Sequence, residues 1–299
     1  MRVLSFNVQN LRLRRPGGAE RLDGARDGGD PQDPLDHADR RLTAAVLAQA
    51  DADFCVLQEV FDRAALDYFH DHLLRGAGAR PWPWRACLPG NDGAGRDLAL
   101  LARRPFAAQS HARLLPADLG LEGAAGTRAD LPVFSRDCLA VQLGGVTIFG
   151  VHFKAPVADL DAAWTRRRVE ALALRRLIER RFDDPARALW LVVGDLNDPR
   201  SDPRRAVAPL LAPFAVDLTT RMPEAERWTW WQEPGPRGCP DAMLASPALA
   251  ARWPDAVPRA IHAGMSRDAG GIQPRLADVG AQRPHASDHA ALVLDLPGL

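Results

Sequence analysis

Asp195 and Asn197 are the residues of this chain that most directly suggest chemistry. They follow the apolar run Leu189-Trp-Leu-Val-Val-Gly194 and are separated by one residue. Side chains at positions i and i+2 of an extended segment point to the same side, so both can face one cleft at the edge of a sheet. A carboxylate beside a carboxamide suits the binding of a water molecule, which the first polarises and the second orients. Alone, the pair is explained equally well as an Asx turn that closes a buried strand.

Other apolar runs also end in residues that can bind a metal ion or a phosphate. These ends carry Asn7, Glu59, His152 with Lys154, and Asp288 with His289. Taken singly, Glu59 is most simply a surface acid and Ser287-Asp-His289 a surface loop. Together they form a set rich in carboxylate and carboxamide oxygens, which are the ligands of hard cations such as Mg²⁺ or Mn²⁺ rather than of zinc. Glu59 is the strongest ligand candidate, with Asn7 and Asp288 beside it.

Eight continuous apolar runs are the strands that must position these residues. Strands that are covered on both faces are apolar throughout instead of alternating. They are predicted at residues 3–8, 53–58, 97–102, 138–143, 146–153, 188–194, 241–245 and 290–296. Helices are predicted at residues 40–49, 63–74 and 161–182. The last has apolar residues at core spacing, and we assign its many arginines to a solvated face.

The order of these elements predicts an α/β fold of two packed mixed β-sheets with outer helices. Helices do not follow each strand in turn, and the short connection Leu143-Gly-Gly-Val146 is typical of an antiparallel hairpin. A doubly wound sheet or a barrel fits this order less well. No repeat or linker separates two cores, so residues 1–299 are predicted to form a single domain. Residues 14–37, rich in Gly, Pro and Asp, are expected to be a mobile loop at its rim.

Composition limits the classes of function. The 38 basic and 38 acidic residues cancel, which argues against a strong, sequence-independent grip on duplex nucleic acid but not against a local basic patch. No apolar stretch is long enough to span a membrane, and strand-like sequence begins at Arg2 in place of a secretory signal. The four cysteines lack metal-type spacing. We expect reduced thiols, a cytoplasmic protein and no obligatory protein partner.

The chain resembles the endonuclease/exonuclease/phosphatase superfamily, the metal-dependent phosphodiesterases that include DNase I-like nucleases, AP endonucleases, sphingomyelinases and inositol-polyphosphate phosphatases. The resemblance extends from Val3 to Leu296. Its motifs are Ser5-Phe-Asn7-Val-Gln-Asn-Leu11, Leu57-Gln-Glu59-Val60, Gly150-Val-His152-Phe-Lys154, Gly194-Asp195-Leu-Asn197-Asp198 and Ser287-Asp288-His289. Two more resemble the bacterial branch, Gly90-Asn-Asp-Gly-Ala-Gly-Arg96-Asp97 and Ser135-Arg136-Asp-Cys-Leu139.

This resemblance implies a four-layer, DNase I-like α/β sandwich with the active site at one end. It implies that Asn7, Glu59 and Asp288 hold Mg²⁺ or Mn²⁺ and that Asp195 and Asn197 position the attacking water. His289 would be the general base or a phosphate contact, oriented by Asp241, although Cys239-Pro-Asp241-Ala replaces the Ile-Asp-Tyr type of sequence usual in the family. His152 would contact the scissile phosphate, with Asp97 behind it.

Two basic residues and a group of tryptophans have less defined roles. Lys154 and Arg136 either contact phosphate or orient acids such as Glu59 and Asp195. Trp228, Trp230 and Trp231 could stack on a base or sugar, but core packing is the favoured interpretation.

The leading hypothesis is a metal-dependent hydrolase of phosphoester bonds, of the nuclease-type phosphodiesterase class. Its substrate would be a phosphoester, with nucleic acid as one candidate. A small-molecule or lipid-headgroup phosphoester is the alternative, because Val8-Gln-Asn-Leu11 differs from the Asn-Gly-Leu-Arg of AP endonucleases. A non-catalytic binding protein on the same fold is a distant alternative, since such relatives usually lose the metal acid or the histidine.

Overall fold

Two six-stranded sheets form the centre of the computed structural model, which describes residues 1–299. The strands of the first sheet are β1 (Arg2–Leu11), β4 (Phe54–Val60), β5 (Trp84–Leu88), β6 (Asp97–Ala102), β13 (Arg259–Ile261) and β14 (Ala291–Asp295). Those of the second are β7 (Ala108–Ser110), β8 (Cys138–Leu143), β9 (Val146–His152), β10 (Trp190–Asp195), β11 (Val216–Asp217) and β12 (Asp241–Ala245). A separate hairpin contains β2 (Leu13–Arg14) and β3 (Arg21–Leu22).

Both sheets are mixed, as the sequence predicts. The first has the order β13-β14-β1-β4-β6-β5 and the second the order β11-β12-β10-β9-β8-β7. In each, one central pair is parallel, β1 with β4 and β9 with β10, and the other neighbours are antiparallel. Parallel neighbours end at the same edge of a sheet. The carboxyl ends of β1 and β4 therefore lie together in the first sheet, and those of β9 and β10 lie together in the second.

Helices cover the outer face of each sheet. The α-helices are α1 (Asp33–Ala50), α2 (Arg63–Tyr68), α3 (Leu160–Arg181) and α4 (Pro247–Arg252), and α2 continues as a π-helical segment, Phe69–Leu74. Short 3-10 helices occupy Pro16–Gly18, Pro116–Leu119, Ala208–Leu210, Leu218–Arg221, Glu224–Glu226 and Arg267–Ala269. The four-layer α/β sandwich is therefore confirmed.

Three apolar clusters fill the spaces between the layers. The central cluster joins the inner faces of the two sheets, for example Val56 of β4 and Leu139 of β8. A second lies between the first sheet and α1 with α2, and a third lies between the second sheet and α3. Along β1 the side chains alternate between clusters, since Val3 belongs to the central one and Leu4 to the outer one. Both faces of such a strand are buried, which explains its continuous apolar sequence.

Six strands are not predicted from the sequence: β2 and β3 of the separate hairpin, and four others that share one property. β5, β7, β11 and β13 are the edge strands of the two large sheets. An edge strand is covered on fewer sides, so its sequence lacks the continuous apolar run on which the prediction was based. The eight predicted strands are all present, with ends that move by a few residues.

Two other predictions need correction. Helix α1 begins at Asp33, so the last residues of the predicted 14–37 loop are helical, and Pro34 lies in the first helical turn, a position that tolerates proline. The same segment also contains β3 and the 3-10 helix Pro16–Gly18. Arg167 of α3 is buried, and its Nη1 donates to the carbonyl of Lys154 at 3.0 Å, so it is not on a solvated face. No helix has the length and apolar character that crossing a bilayer requires.

Candidate active site

Six segments bring the predicted site residues together at one end of the sandwich. Asp195, the last residue of β10, lies in register with His152 of parallel β9 and with Asp241 of antiparallel β12. From the first sheet, Asn7 on β1 is joined to both Glu59 and Asp195, because its Nδ2 lies 3.3 Å from an oxygen of each. The sixth segment places His289 beside Asp241, just before β14. Residues distant in sequence therefore share one cleft.

Asp195 is the centre of this arrangement. Its Oδ2 lies 3.1 Å from Nδ2 of Asn197, 3.4 Å from Nε2 of His152 and 3.9 Å from Nε2 of His289. Its Oδ1 accepts a hydrogen bond from the backbone N–H of Asn197 at 2.8 Å. Asn197 adopts a left-handed backbone conformation, φ +50°, which folds its amide back toward the carboxylate. The carboxylate and the carboxamide therefore lie together, but through an Asx turn after β10 and not through the extended segment that their spacing predicts.

The carboxyl of Asp195 has a raised pKa. Burial raises its pKa, and the carboxylates of Asp241 and Glu59 raise it further against the opposing charge of His289, so that the pKa is about 7. A carboxylate with such a pKa can accept a proton near neutral pH, which is the property required of a general base.

His289 has the opposite character. Its Nδ1 lies 2.8 Å from Oδ2 of Asp241, although the tripeptide around Asp241 departs from the expected pattern. Burial alone would lower the pKa of His289, but Asp241 and Asp288 overcome it and raise the pKa well above its ordinary value. His289 is therefore a cation at neutral pH, and its free Nε2 can donate to an anion.

His152 is neutral. Burial lowers its pKa well below the ordinary value, and the charges of Arg136 and His289 lower it further. Its Nδ1 is buried without a hydrogen-bond partner. The prediction that Asp97 supports His152 is wrong, because Asp97 lies at the start of β6 in the other sheet and accepts from the backbone N–H of Gly90 at 2.8 Å.

Glu59 and Asp288 provide carboxylate oxygens for a hard cation. Glu59 adopts φ +65° and accepts from the backbone N–H of Asn10 at 3.0 Å. Burial, and then the charge of Asp288, raise the pKa of Glu59. Close carboxylates that are only partly compensated are stabilised by a divalent cation, so the donor set fits Mg²⁺ or Mn²⁺.

Asn7 is oriented as a donor in this structure. Its Oδ1 accepts from the backbone N–H of Gln9 at 3.0 Å, and its Nδ2 faces Glu59 and Asp195. A cation placed between those two carboxylates would meet the Asn7 oxygen only after the amide flips.

A second donor set could also hold a metal ion. Ligand atoms of Asp195, Asp241 and His289 all lie within 4.8 Å of one another. A histidine must be neutral to bind a metal, however, and His289 is held in its cationic form by its acidic neighbours. The set Glu59, Asp288 and Asn7 therefore agrees better with the charges, and the other three residues are better suited to proton transfer and phosphate contact.

The two basic residues lie beside the cleft. Arg136 is buried, and its Nη1 donates to the carbonyl of Phe153 at 2.6 Å. The ion pairs of Glu59 and Asp195 involve Arg96, His152 and His289 and do not include Lys154. This geometry does not support an orienting role for Lys154.

Three further residues of the site make contacts that the sequence does not predict. Nε1 of Trp230 donates to Oδ2 of Asp288 at 3.1 Å, and Asn10 bridges Glu59 and Asp27 through its N–H and its Nδ2. Arg96 donates to Asn10 at 2.8 Å and lies 3.7 Å from Glu59. Asn10 and Arg96 lie inside motifs that drew attention for other residues, whereas nothing local distinguishes Trp230 from the tryptophans beside it.

Comparisons with known proteins identify the family of this chain and solved structures with a similar fold. Residues 4–289 match the Endonuclease/Exonuclease/phosphatase family. An endonuclease/exonuclease/phosphatase from Beutenbergia cavernae has a similar structure, with a TM-score of 0.59 and 18% identity over 98% of this chain and 70% of that one. TDP2 from D. rerio, solved with a single-strand DNA product, has a TM-score of 0.57 and 17% identity over 98% and 97%.

A third solved structure covers both chains almost completely. NExo, a 3′-5′ exonuclease from Neisseria meningitidis, has a TM-score of 0.57 and 17% identity over 99% of each chain. No curated protein sequence matches this chain significantly.

Proposed function

The chain belongs to the Endonuclease/Exonuclease/phosphatase family, and from this premise we propose that it hydrolyses phosphoester bonds as a metal-dependent, nuclease-type phosphodiesterase. One observation supports the proposal above all others. The Asp195–Asn197 unit faces the His289–Asp241 pair at the same end of the sandwich that carries Glu59. A water-binding acid, a cationic donor and a cation site are the groups that in-line attack on phosphorus requires.

Each residue has a role that follows from its surroundings. Asp195 would accept the proton of the attacking water, while Asn197, whose Nδ2 is occupied by Asp195 and Phe153, orients that water through its oxygen. His289 would donate from Nε2 to a phosphate oxygen, and neutral His152 would contact the same group. A divalent ion held by Glu59 and Asp288, with the amide oxygen of Asn7, would supply Lewis-acid stabilisation of charge on the phosphate.

The test is hydrolysis by the purified protein with Mg²⁺, with Mn²⁺ and with EDTA. Single-stranded DNA, duplex DNA, RNA and bis(p-nitrophenyl) phosphate are compared as substrates. We expect metal-dependent turnover that Asp195→Asn or His289→Gln lowers by about 10²–10⁴-fold, because each removes a group that transfers a proton or stabilises charge.

The matched control is Asp130→Asn, which changes an exposed aspartate paired only with Arg128 and should retain wild-type turnover. Near-normal turnover by both site variants would overturn the residue assignment. Absence of hydrolysis with every substrate and both metals would revive the non-catalytic alternative.

Nucleic acid is the substrate class we favour. The D. rerio TDP2 structure contains a single-strand DNA product, and NExo is named as an exonuclease, although these likenesses concern the fold. The alternative, a small-molecule or lipid-headgroup phosphoester, draws its support from the zero net charge. Preferential hydrolysis of a small phosphoester over all polynucleotides would favour this alternative.

A further inference from the structure

A surface pocket of about 410 Å³ lies beside the active site and is lined by three cationic side chains. They are Lys154, Arg136 and Arg166, and Asn91 and Ser135 add polar groups to its wall. The pocket brings together the segment after β9, the segment before β8 and one face of α3. None of its lining residues belongs to the metal or water-binding groups described above.

The charges of this pocket are poorly compensated. Asp92 is the one acid in its lining, and its Oδ2 lies 3.7 Å from Nε of Arg136 without forming a hydrogen bond. Arg166 donates only to neutral groups, Oγ of Ser135 at 3.0 Å and the carbonyl of Pro132 at 2.5 Å. The Lys154 side chain has neither an ion pair nor a hydrogen bond to the protein. Three cations facing one carboxylate form a site for an anion.

Glu170 contacts two segments of the pocket wall, and its role is structural. It is fully buried, and its two oxygens accept from the backbone N–H groups of Ser135 and Lys154, each at 2.8 Å. It therefore fixes two segments of the pocket wall instead of pairing with the side chains. The cationic groups of Lys154 and Arg166 stay available to a ligand.

Arg136 shows the clearest sign of a missing partner. Its side chain is only 8% exposed, yet its Nε has no hydrogen-bond partner. Buried charged donors are normally satisfied, and one that lacks a partner is unfavourable. The carboxylate of Asp92, at 3.7 Å from this Nε, therefore compensates the guanidinium only in part.

A shared hydrogen-bond acceptor connects the pocket to the active site. The carbonyl of Phe153 accepts from Nη1 of Arg136 at 2.6 Å and from Nδ2 of Asn197 at 3.1 Å. Lys154 follows His152 by two residues, which span at most about 7 Å of extended chain. An anion in the pocket would thus lie close to the phosphate that His152 contacts.

We propose that this pocket binds a second phosphate of the substrate, next to the scissile one, and that the substrate is therefore a chain of phosphodiesters such as a single strand of nucleic acid. The inference rests on the proposed function and names the substrate class for it. It explains how a chain with zero net charge can hold a polyanion, because a local patch replaces a basic face.

The experiment uses Lys154→Met, since the Lys154 side chain forms no hydrogen bond or ion pair within the protein and methionine keeps most of its length. Binding of a fluorescent single-stranded decathymidylate is measured by anisotropy in EDTA, where no turnover occurs. We expect Kd to rise roughly tenfold, as for loss of one charge-assisted contact. The slope of log K against log salt should fall by about 0.7, the value for one phosphate contact on a single strand.

Hydrolysis adds a second readout. With Mg²⁺, the ratio of kcat/KM for the oligonucleotide to kcat/KM for bis(p-nitrophenyl) phosphate, which has a single phosphate, should fall roughly tenfold in the variant. Lys154→Glu should enlarge both effects. The control is Arg168→Met, two residues from Arg166 on α3 and outside the pocket, which should leave Kd, slope and ratio unchanged.

The outcomes separate the hypotheses. Unchanged binding, or an equal loss on both substrates, would overturn the second-phosphate site. If Lys154→Met weakens binding of ATP but not of the oligonucleotide, the polynucleotide assignment is overturned in favour of a nucleoside polyphosphate. Failure of the wild-type protein to hydrolyse any phosphoester would instead refute the proposed function.

Discussion

Three buried titratable residues at the active site have been driven to different protonation states by their neighbours. The pKa of Asp195 is raised to about 7, His289 is held in its cationic form, and His152 is held in its neutral form. Burial alone would favour the neutral form of all three. The difference comes from Asp241, which supports the charge of His289, and from Arg136, which opposes a charge on His152. Groups whose pKa values are moved apart in this way can act as base and acid at the same pH.

Asp241→Asn tests this electrostatic coupling. If Asp195 must be unprotonated and His289 protonated, activity rises as pH passes the pKa of Asp195 and falls as pH passes that of His289. Asp241 raises both pKa values, so its neutral isostere lowers both and moves the profile to lower pH. We expect a shift of roughly 1–3 pH units in the alkaline limb of kcat/KM, the usual effect of a neighbouring charge.

The control for this shift is Asp295→Asn, an exposed acid paired with Arg2, which should leave the profile in place. An unchanged alkaline limb in Asp241→Asn would show that His289 does not depend on Asp241 for its proton.

At the scale of elements, one side chain ties α1 to the catalytic end of β1. Arg40 is completely buried and donates to the carbonyls of Val8 and Gln9, each at 2.6 Å, and of Asn10 at 2.9 Å. It also donates to Asp23 at 2.5 Å and Gly24 at 2.7 Å. Burial lowers its pKa to about 10, which leaves it charged at neutral pH. Arg40 thus holds the chain that follows Asn7 and part of the 14–37 segment.

Arg40→Met is predicted to be strongly destabilising. The substitution preserves most of the volume but leaves five buried carbonyls without their donor. We expect the free energy of unfolding to fall by about 3–5 kcal/mol, as for the loss of one partner of a buried charged network. Urea denaturation followed by tryptophan fluorescence measures it.

The neighbouring residue on the same helix supplies the control. Arg41 is exposed and only approaches Asp278 at 3.9 Å, so Arg41→Met should change the free energy of unfolding by less than about 0.5 kcal/mol. Equal effects of the two variants would mean that Arg40 is no more than a surface charge.

At the scale of the whole molecule, the two sheets depend on one shared core. The central cluster contains 29 buried residues, which come from the inner faces of both sheets and also from α4 and connecting segments. Separating the sheets would expose this cluster, and burying a single large apolar side chain contributes about 1.5–3 kcal/mol. We therefore propose that the chain is a single cooperative domain.

Cooperativity predicts coincident unfolding transitions. Tryptophan fluorescence and far-UV circular dichroism should give the same urea midpoint. Leu139→Ala, which empties a fully buried position of β8 in the central cluster, should lower both midpoints together and cost about 2–5 kcal/mol. Two separated transitions, or a shift in only one probe, would contradict the single-domain proposal.

The sequence was sufficient for features that local pattern encodes. A strand buried on both faces is apolar throughout, so the central strands, the mixed sheets and the four layers could be predicted. The polar residues that end these strands stand out against such runs, which is why Asp195, His152 and Glu59 could be named. The edge strands could not be predicted, because partial exposure removes the apolar signal.

Only the tertiary structure decided which residues meet and in what charge state. Pairing of β10 with β12 placed Asp241 beside Asp195 despite its unusual local sequence, and the placement of β6 in the other sheet separated Asp97 from His152. The contact of Trp230 with Asp288 and the grouping of Lys154, Arg136 and Arg166 join segments far apart in the chain. Hydrogen bonds and electrostatic shifts depend on distances through space, and sequence spacing beyond one element does not determine such distances.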